Sequence, residues 1–417
     1  MFCLMAGGFC CSAEDWTQYR GNAGNGLCGE RLLTGWSGEG PRHLWTAKTA
    51  AGFSSFVVGN GKVFTIISRE TDGTLAETCV ALDAQTGKEL WAMPTGKAKY
   101  AGGGDSGAES NKGGDGPRST PAISGNNVYV YSAYMVLSCL DAQTGKVLWK
   151  KDLPQEFGGK NIRWESAMSP VIEGNLVLIA GGGTGQSMLA FDRTTGAVVW
   201  KTGDELMTHA TPVVATIQGV RQVIFLMQSG LVSLETGSGK PLWHFAFPYS
   251  VATGCSPVVS GDVVFCTAGY DVGGAACQIS RTGDSFEAKE LWRIKGNAAV
   301  ASLWSTPVCK DGYLYGMISF KKFGTGPLKC VDLKTGDVKW EQPGFGAGNV
   351  VLAGNNLVAL SDDGQIVLVE ANPATYKEVA RTKAITGKCW STPAISNGRL
   401  YVRSTKESAC LDFAPAN

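Results

Sequence analysis

The chain has 417 residues, among them 56 Gly, 12 Trp and 13 Cys, and its 37 basic and 36 acidic residues leave a net charge of +1. So even a balance excludes the basic footprint of a nucleic-acid binder and a polybasic membrane patch, and no apolar run approaches the about 20 residues of a membrane span. Length alone allows two or three domains, but the internal repeats below assign nearly all of it to one array.

Residues 1–13, MFCLMAGGFCCSA, are apolar and small and end before Glu14-Asp15. They read as a signal-peptide-like segment with cleavage near Ala13, which places the mature chain in the periplasm or outside the cell. A lipid anchor at Cys10 or Cys11 is the weaker alternative, because Phe9 stands where a lipobox has a small residue. Residues 14–41 form an N-terminal extension too irregular for a repeat. RHLWTAK at 42–48 then reads as the last strand of a repeat, with Trp45 as its ring.

From there one stretch keeps returning: ALDAQTGKELW at 81–91, CLDAQTGKVLW at 139–149, AFDRTTGAVVW at 190–200, SLETGSGKPLW at 233–243 and CVDLKTGDVKW at 330–340. Acid and Trp are eight residues apart each time, from Asp83–Trp91 to Asp332–Trp340. The apolar run predicts a strand. The acid opens a turn by accepting backbone N–H bonds two residues on, the Gly supplies positive φ, and a second strand ends in Trp. A hairpin of this kind is marginal alone, so the repeated Trp points to units that stack through it.

Between the Trp residues lies a second hairpin, as in STPAISGNNVYV at 119–130 and STPAISNGRLYV at 391–402. Its copies begin at Phe56, Pro121, Pro170, Pro212, Pro257, Pro307, Val350 and Pro393, a period of 42–50 residues after one first interval of 65. Four strands per 40–50 residues is the blade of a β-propeller. The predicted fold is therefore all-β, an eight-bladed propeller of four-stranded blades over residues 42–413. The last blade stops at ACLDF, before its Gly turn and Trp, and the N-terminal strand at 42–48 supplies the missing fourth strand. This closes the ring and removes its exposed edge. Residues 95–117, rich in Gly, form an inserted loop after blade one, and 414–417 a tail. In blade five, ISRTGDSFEAKELW lengthens the turn before Trp292; blade seven, VEANPATYKEVAR, has lost its Trp, and neighbours must fill the gap.

The AxDxxTGxxxW hairpin resembles the pyrroloquinoline-quinone (PQQ) repeat. More specifically, WTQYRG at 16–21, WSGEGPRHLW at 36–45, GPRSTP at 116–121 and GVRQ at 219–222 resemble segments of secreted, planctomycete-type PQQ-like propeller proteins. The same architecture is used by the non-enzymatic scaffold lipoprotein of outer-membrane β-barrel assembly, so the resemblance implies the fold and leaves function to the site.

In a propeller the residues just before each innermost strand ring the central channel. Here they are Phe53, Arg118, Glu165, His209, Cys255, Trp304, Gly348 and Trp390. Arg118 is suited to clamping a carboxylate, Trp304 and Trp390 to stacking on a flat ring, and His209 with Glu165 to acid–base work. Against this stands the plainer arrangement, in which Arg118 and Glu165 neutralise each other across a wet channel that the Trp rings plug. A PQQ-dependent dehydrogenase with PQQ and Ca²⁺ in the channel needs carboxylate and amide oxygens on the cation. No such set is recognisable, and the only Cys-Cys is Cys10-Cys11. The expectation is thus a monomeric, non-catalytic binding or scaffold propeller of the cell envelope, with a peptide, a glycan or another envelope protein as partner. Its contact surface would be the 95–117 loop with the Arg, His and Trp of the channel face.

Cys139, Cys330 and Cys410 share a column with Ala81 and Ala190, where a small buried residue is wanted, and act there as small hydrophobes. Different blades hold these three apart, and Cys255, Cys266 and Cys277 fall on the first three strands of blade five, where a cross-strand pair between Cys266 and Cys277 is a weakly supported option. No Cys or His spacing suggests zinc.

Overall fold

Asp83 opens its turn as its position in the repeat predicts: its Oδ1 accepts from the Gln85 N–H at 3.0 Å and from the Thr86 N–H and hydroxyl, each at 2.8 Å. Asp141 and Asp192 repeat the arrangement, and these bonds hold all three carboxyls below their usual range. The computed structural model describes residues 14–36, 38–100, 116–318 and 326–415. The signal-like segment with Cys10 and Cys11, most of the Gly-rich loop and the last two residues lie outside that range.

Eight sheets follow one another along the chain; each has four antiparallel strands, paired in chain order except where the N-terminal strand enters blade eight, and blade seven carries a fifth, parallel one. Blade one is Val57–Gly59, Lys62–Thr71, Thr74–Asp83 and Glu89–Lys97. Its outer strand therefore runs three residues into the predicted loop. Blade eight is Ala394–Ser396, Arg399–Arg403 and Glu407–Asp412, completed by the N-terminal strand His43–Lys48 with Trp45 opposite Cys410.

In six blades a Trp within the outer strand docks on the next blade. The Nε1–H of Trp45, Trp91, Trp149, Trp200, Trp292 and Trp340 donates to a carbonyl in the following blade at 2.8–3.2 Å. The ring lies on that blade's turn Gly, except for Trp340, which meets Tyr376 of blade seven. Gly145 has φ of 73°, and a Cβ there would come within 2.7 Å of the Trp91 ring, so two constraints coincide on this residue. The small column has the same origin. Ala81, Cys139, Ala190, Cys330 and Cys410 each lie directly opposite the Trp of their own hairpin.

Blade seven inverts this pairing. Ala380 occupies the Trp position, and the residue opposite it is the large Leu368. The neighbouring blade eight has no Gly hairpin turn to receive a ring, because its outer strand is the separate segment His43–Lys48. Trp36 of the N-terminal extension enters instead, edge-on to Phe413 at 5.8 Å with its Nε1–H on the Arg381 carbonyl. In blade five the strands Gly273–Thr282 and Ser285–Ile294 lengthen, not the turn, which is a tight one at Gly283-Asp284. The preceding Trp243 therefore donates to the buried Gln222 Oε1 at 2.7 Å, which gives the last residue of GVRQ its role.

The Ser or Thr before each innermost-strand Pro stitches neighbouring blades around the channel. The N–H groups of Ser55, Thr120, Ser169, Ser256 and Thr392 donate to the hydroxyls of Thr120, Ser169, Thr211, Thr306 and Ser55 at 2.9–3.0 Å. Donors and acceptors that the curvature would orphan are thereby paired, at about 1 kcal/mol each. None of the ten described cysteines is in a disulfide. Cys277 faces Val264 and Cys266 faces Ala275, so the candidate pair sits on a diagonal and not directly across the ladder, a separation too wide for a disulfide.

A candidate binding site in the central channel

The N-terminal extension crosses one end of the channel. Trp16 exchanges two backbone hydrogen bonds with Val58 of blade one, and the Thr17 carbonyl accepts from Ile123 of blade two. The Gln18 side chain accepts from Ile172 of blade three. Arg20, with φ of 64° and 1% exposed, donates to the blade-six carbonyls of Thr306 at 2.5 Å and Pro307 at 2.8 Å and to Asn25 O at 3.0 Å. Leu27–Cys28 then adds a fifth, parallel strand to blade seven. Glu30 accepts from the backbones of Asn397 and Gly398 in blade eight. The WTQYRG segment is therefore a stopper, and its Tyr19 side chain forms part of the channel lining.

Above it is a cavity of about 120 Å³ lined by Tyr19, Phe53, Ser55, Arg118, Ala167, Ser169, His209, Thr211, Gly254, Trp304, Asn349, Trp390 and Thr392. Arg118, His209, Trp304, Trp390 and Phe53 thus meet as the sequence predicts. Three neighbours replace predicted members of the ring: Ala167 lines the cavity where Glu165 was expected, Gly254 where Cys255 was, and Asn349 where Gly348 was. Blade seven lacks the Pro that anchors the alignment, which accounts for its shift. Cys255 is buried against the Ser256 and Ser305 carbonyls.

The two Trp rings pack on each other: Trp304 and Trp390 have centroids 4.5 Å apart, and Phe53 stacks on Trp390 at 4.9 Å. His209 Nε2 meets the Arg163 carbonyl at 2.9 Å. Burial, and then Arg118, lower its pKa to about 4, so the imidazole is neutral at pH 7. Since a carbonyl only accepts, the proton is on Nε2 and Nδ1 carries a lone pair.

Glu165 is buried, at 6% exposed, and its charge acts on Arg118 and on a carboxylate that sequence reasoning missed, Glu77. Glu77 accepts from the Tyr100 hydroxyl at 2.8 Å and the Ala133 N–H at 2.9 Å. Arg118 lies over the Tyr100 ring at 5.2 Å, and burial lowers its pKa. The available signal was an acid in the interior of the third strand of blade one, TLAETCVALD, well before its turn acid Asp83. Burial raises the Glu77 carboxyl to about 7, against its two hydrogen bonds and Arg118. A raised acid stabilises the fold below about pH 4.5 and loses that contribution as pH rises through 7; the lowered His209 does the reverse between about 6.5 and 4. The two slopes oppose each other in the native chain. Glu77→Gln should expose the His209 slope alone, a relative loss of stability on the order of 3 kcal/mol at pH 4.5 compared with pH 7.5. Urea unfolding across that range reads it, and parallel curves for the two proteins would refute it.

A family model described as outer membrane protein assembly factor BamB matches residues 75–342 and 324–412. The chain belongs to this BamB family. BamB of Burkholderia pseudomallei is 25% identical, with 78% of this chain and 87% of that protein aligned. BamB of Yersinia pestis is 22% identical over 68% and 70%. The crystal structure of BamB from Moraxella catarrhalis superposes with a TM-score of 0.59 at 16% identity, covering 88% of this chain and 98% of that one. A quinohemoprotein alcohol dehydrogenase from Pseudomonas putida gives 0.67 at 13% identity over 97% and 81%. Likeness at these identities establishes a shared propeller and no shared chemistry.

The residues of the channel do not fit PQQ with its cation. No group of three or more His, Cys, Asp or Glu that could hold a metal ion occurs among the described residues. The three rings that would sandwich a quinone pack on one another. The cavity is also below the about 300–1,000 Å³ of pockets that enclose a drug-sized ligand. No helix among the described residues is long and apolar enough to cross a membrane.

Proposed function

We propose that this chain is a non-catalytic scaffold propeller of the cell envelope, exported to the periplasm and acting in outer-membrane protein assembly, as its BamB relatives are named for. The state of the channel carries this reading. One end is crossed by the extension, and at the other the polar side chains bond to the propeller's own carbonyls: His209 to Arg163, Asn349 to Trp390 and Trp304 to Ala347. Groups used in this way hold a platform rigid; a catalytic pair would instead flank a reacting bond. The partner on this reading is an envelope protein or a peptide segment of one, bound by a monomer.

Deleting the chain from its host should lower the fraction of outer-membrane β-barrel proteins that reach the heat-modifiable folded state, and re-expression should restore it. An unchanged fraction would overturn the reading. So would dye reduction by an alcohol when the purified chain is supplied with PQQ and Ca²⁺.

A further inference from the structure

Three polar atoms around the channel cavity are buried without a hydrogen-bond partner among the described residues: Arg118 Nη2, His209 Nδ1 and Asn349 Oδ1. His209 and Asn349 are 6% and 1% exposed. A buried polar atom left unpaired costs about 1–3 kcal/mol, so three around one small cavity favour a bound molecule that can bond to all of them. Their chemistry is fixed by what they already bond. His209 holds its proton on Nε2, so Nδ1 accepts. The Asn349 Nδ2 donates to the Trp390 carbonyl at 2.7 Å, so its Oδ1 accepts as well. Arg118 only donates.

A carboxylate would satisfy Arg118 and face two lone pairs. An ammonium would satisfy the lone pairs and face a guanidinium. A hydroxyl gives and accepts at once, and several hydroxyls on one ring serve all three atoms. The remaining wall is aromatic and held in place, with Phe53, Trp390 and Trp304 in one stack. It presents carbon surface to a ligand with an apolar face. The cavity, at about 120 Å³, exceeds the about 30 Å³ share of one water molecule and has the scale of a single small ring.

We propose that the channel cavity binds one neutral, hydroxylated ring, a monosaccharide or the terminal sugar of a glycan, with Arg118 donating to it and His209 and Asn349 accepting from it against the Trp304 wall. This goes beyond the scaffold reading and stands independently of it.

The full chain is titrated with glucose, galactose, mannose and N-acetylglucosamine, and with a β-linked disaccharide of each. Tryptophan fluorescence and calorimetry are the readouts, and acetate and acetamide serve as controls. At least one sugar should saturate with a Kd on the order of 1 mM, as expected of about a dozen non-hydrogen atoms. Neither control should saturate. Asn349→Ala and Trp304→Ala should each weaken binding at least about tenfold; if either fails to fold, His209→Phe, which keeps a ring and removes Nδ1, replaces it. Binding of the disaccharide as well as the free sugar identifies a glycan end as the ligand, and binding of the free sugar alone identifies a small solute. No saturation by any sugar overturns the proposal. So does saturation unchanged in the variants, or saturation by acetate or acetamide alone.

Discussion

Replacing Arg403 by Leu should lower the stability of the propeller by on the order of 3 kcal/mol, as a shift of the urea midpoint at unchanged slope. Arg403 is fully buried in the second strand of blade eight. It reaches across the closing seam to blade one and the segment just before it, where its guanidinium donates to Ala50 O, Thr65 Oγ1 and Ile66 O at 2.8–3.0 Å and to Ser54 O at 3.4 Å. Burial pushes its pKa down to about 9, which still leaves it charged at neutral pH. Leu removes the donors and leaves several buried acceptors unpaired, at about 1–3 kcal/mol each. Relief of the guanidinium's desolvation offsets part of that total. Arg403→Lys retains three donors and should recover part of the loss. An unchanged midpoint in Arg403→Leu would mean that the seam is held by the His43–Lys48 strand pairing alone.

The second large effect is local. Arg20→Leu removes the donor that anchors the extension to Thr306 and Pro307 of blade six. The expected loss is again on the order of 3 kcal/mol, and it falls first on the stopper, because the blades keep their own ladders. Partial unfolding of such a unit is seen by proteolysis before global melting. Trypsin should cleave after Arg31 or Arg42 at least about tenfold faster than in the native protein, while the propeller persists as a resistant core. Equal cleavage rates would show that the backbone bonds of Trp16 and Thr17 suffice to seat the segment. Since Tyr19 lines the cavity, release of the stopper should also change the Trp304 and Trp390 emission.

Much of this architecture was legible because its determinants repeat. The Asp–Gly–Trp hairpin, the Ser/Thr-Pro strand and the eight phase-locked copies each depend on neighbours in sequence or on an identical neighbour in the next blade. A local pattern therefore implies the global ring. The completion of blade eight by residues 42–48 was readable for the same reason, as a unit missing one strand at one end and a strand missing its unit at the other.

The departures lie where a position depends on something the repeat does not specify. The Ala380–Leu368 inversion and the entry of Trp36 occur where blade eight takes its outer strand from the N-terminal segment and so lacks the usual Gly hairpin turn. The diversion of Trp243 to Gln222 follows from the long blade-five hairpin. The role of WTQYRG as a stopper rests on bonds between residues hundreds of positions apart, as with Arg20 and Pro307, and no periodicity encodes these. At the site, the sequence determined which blades contribute Arg118, His209, Trp304 and Trp390 to the channel. Only the tertiary structure decided that Asn349 and Tyr19 join them, that Glu77 is the carboxylate bonded to Tyr100 beside Arg118, and that His209 is neutral with its lone pair unpaired. Burial and hydrogen-bond partners set those properties, and both are fixed only when the blades close around the channel.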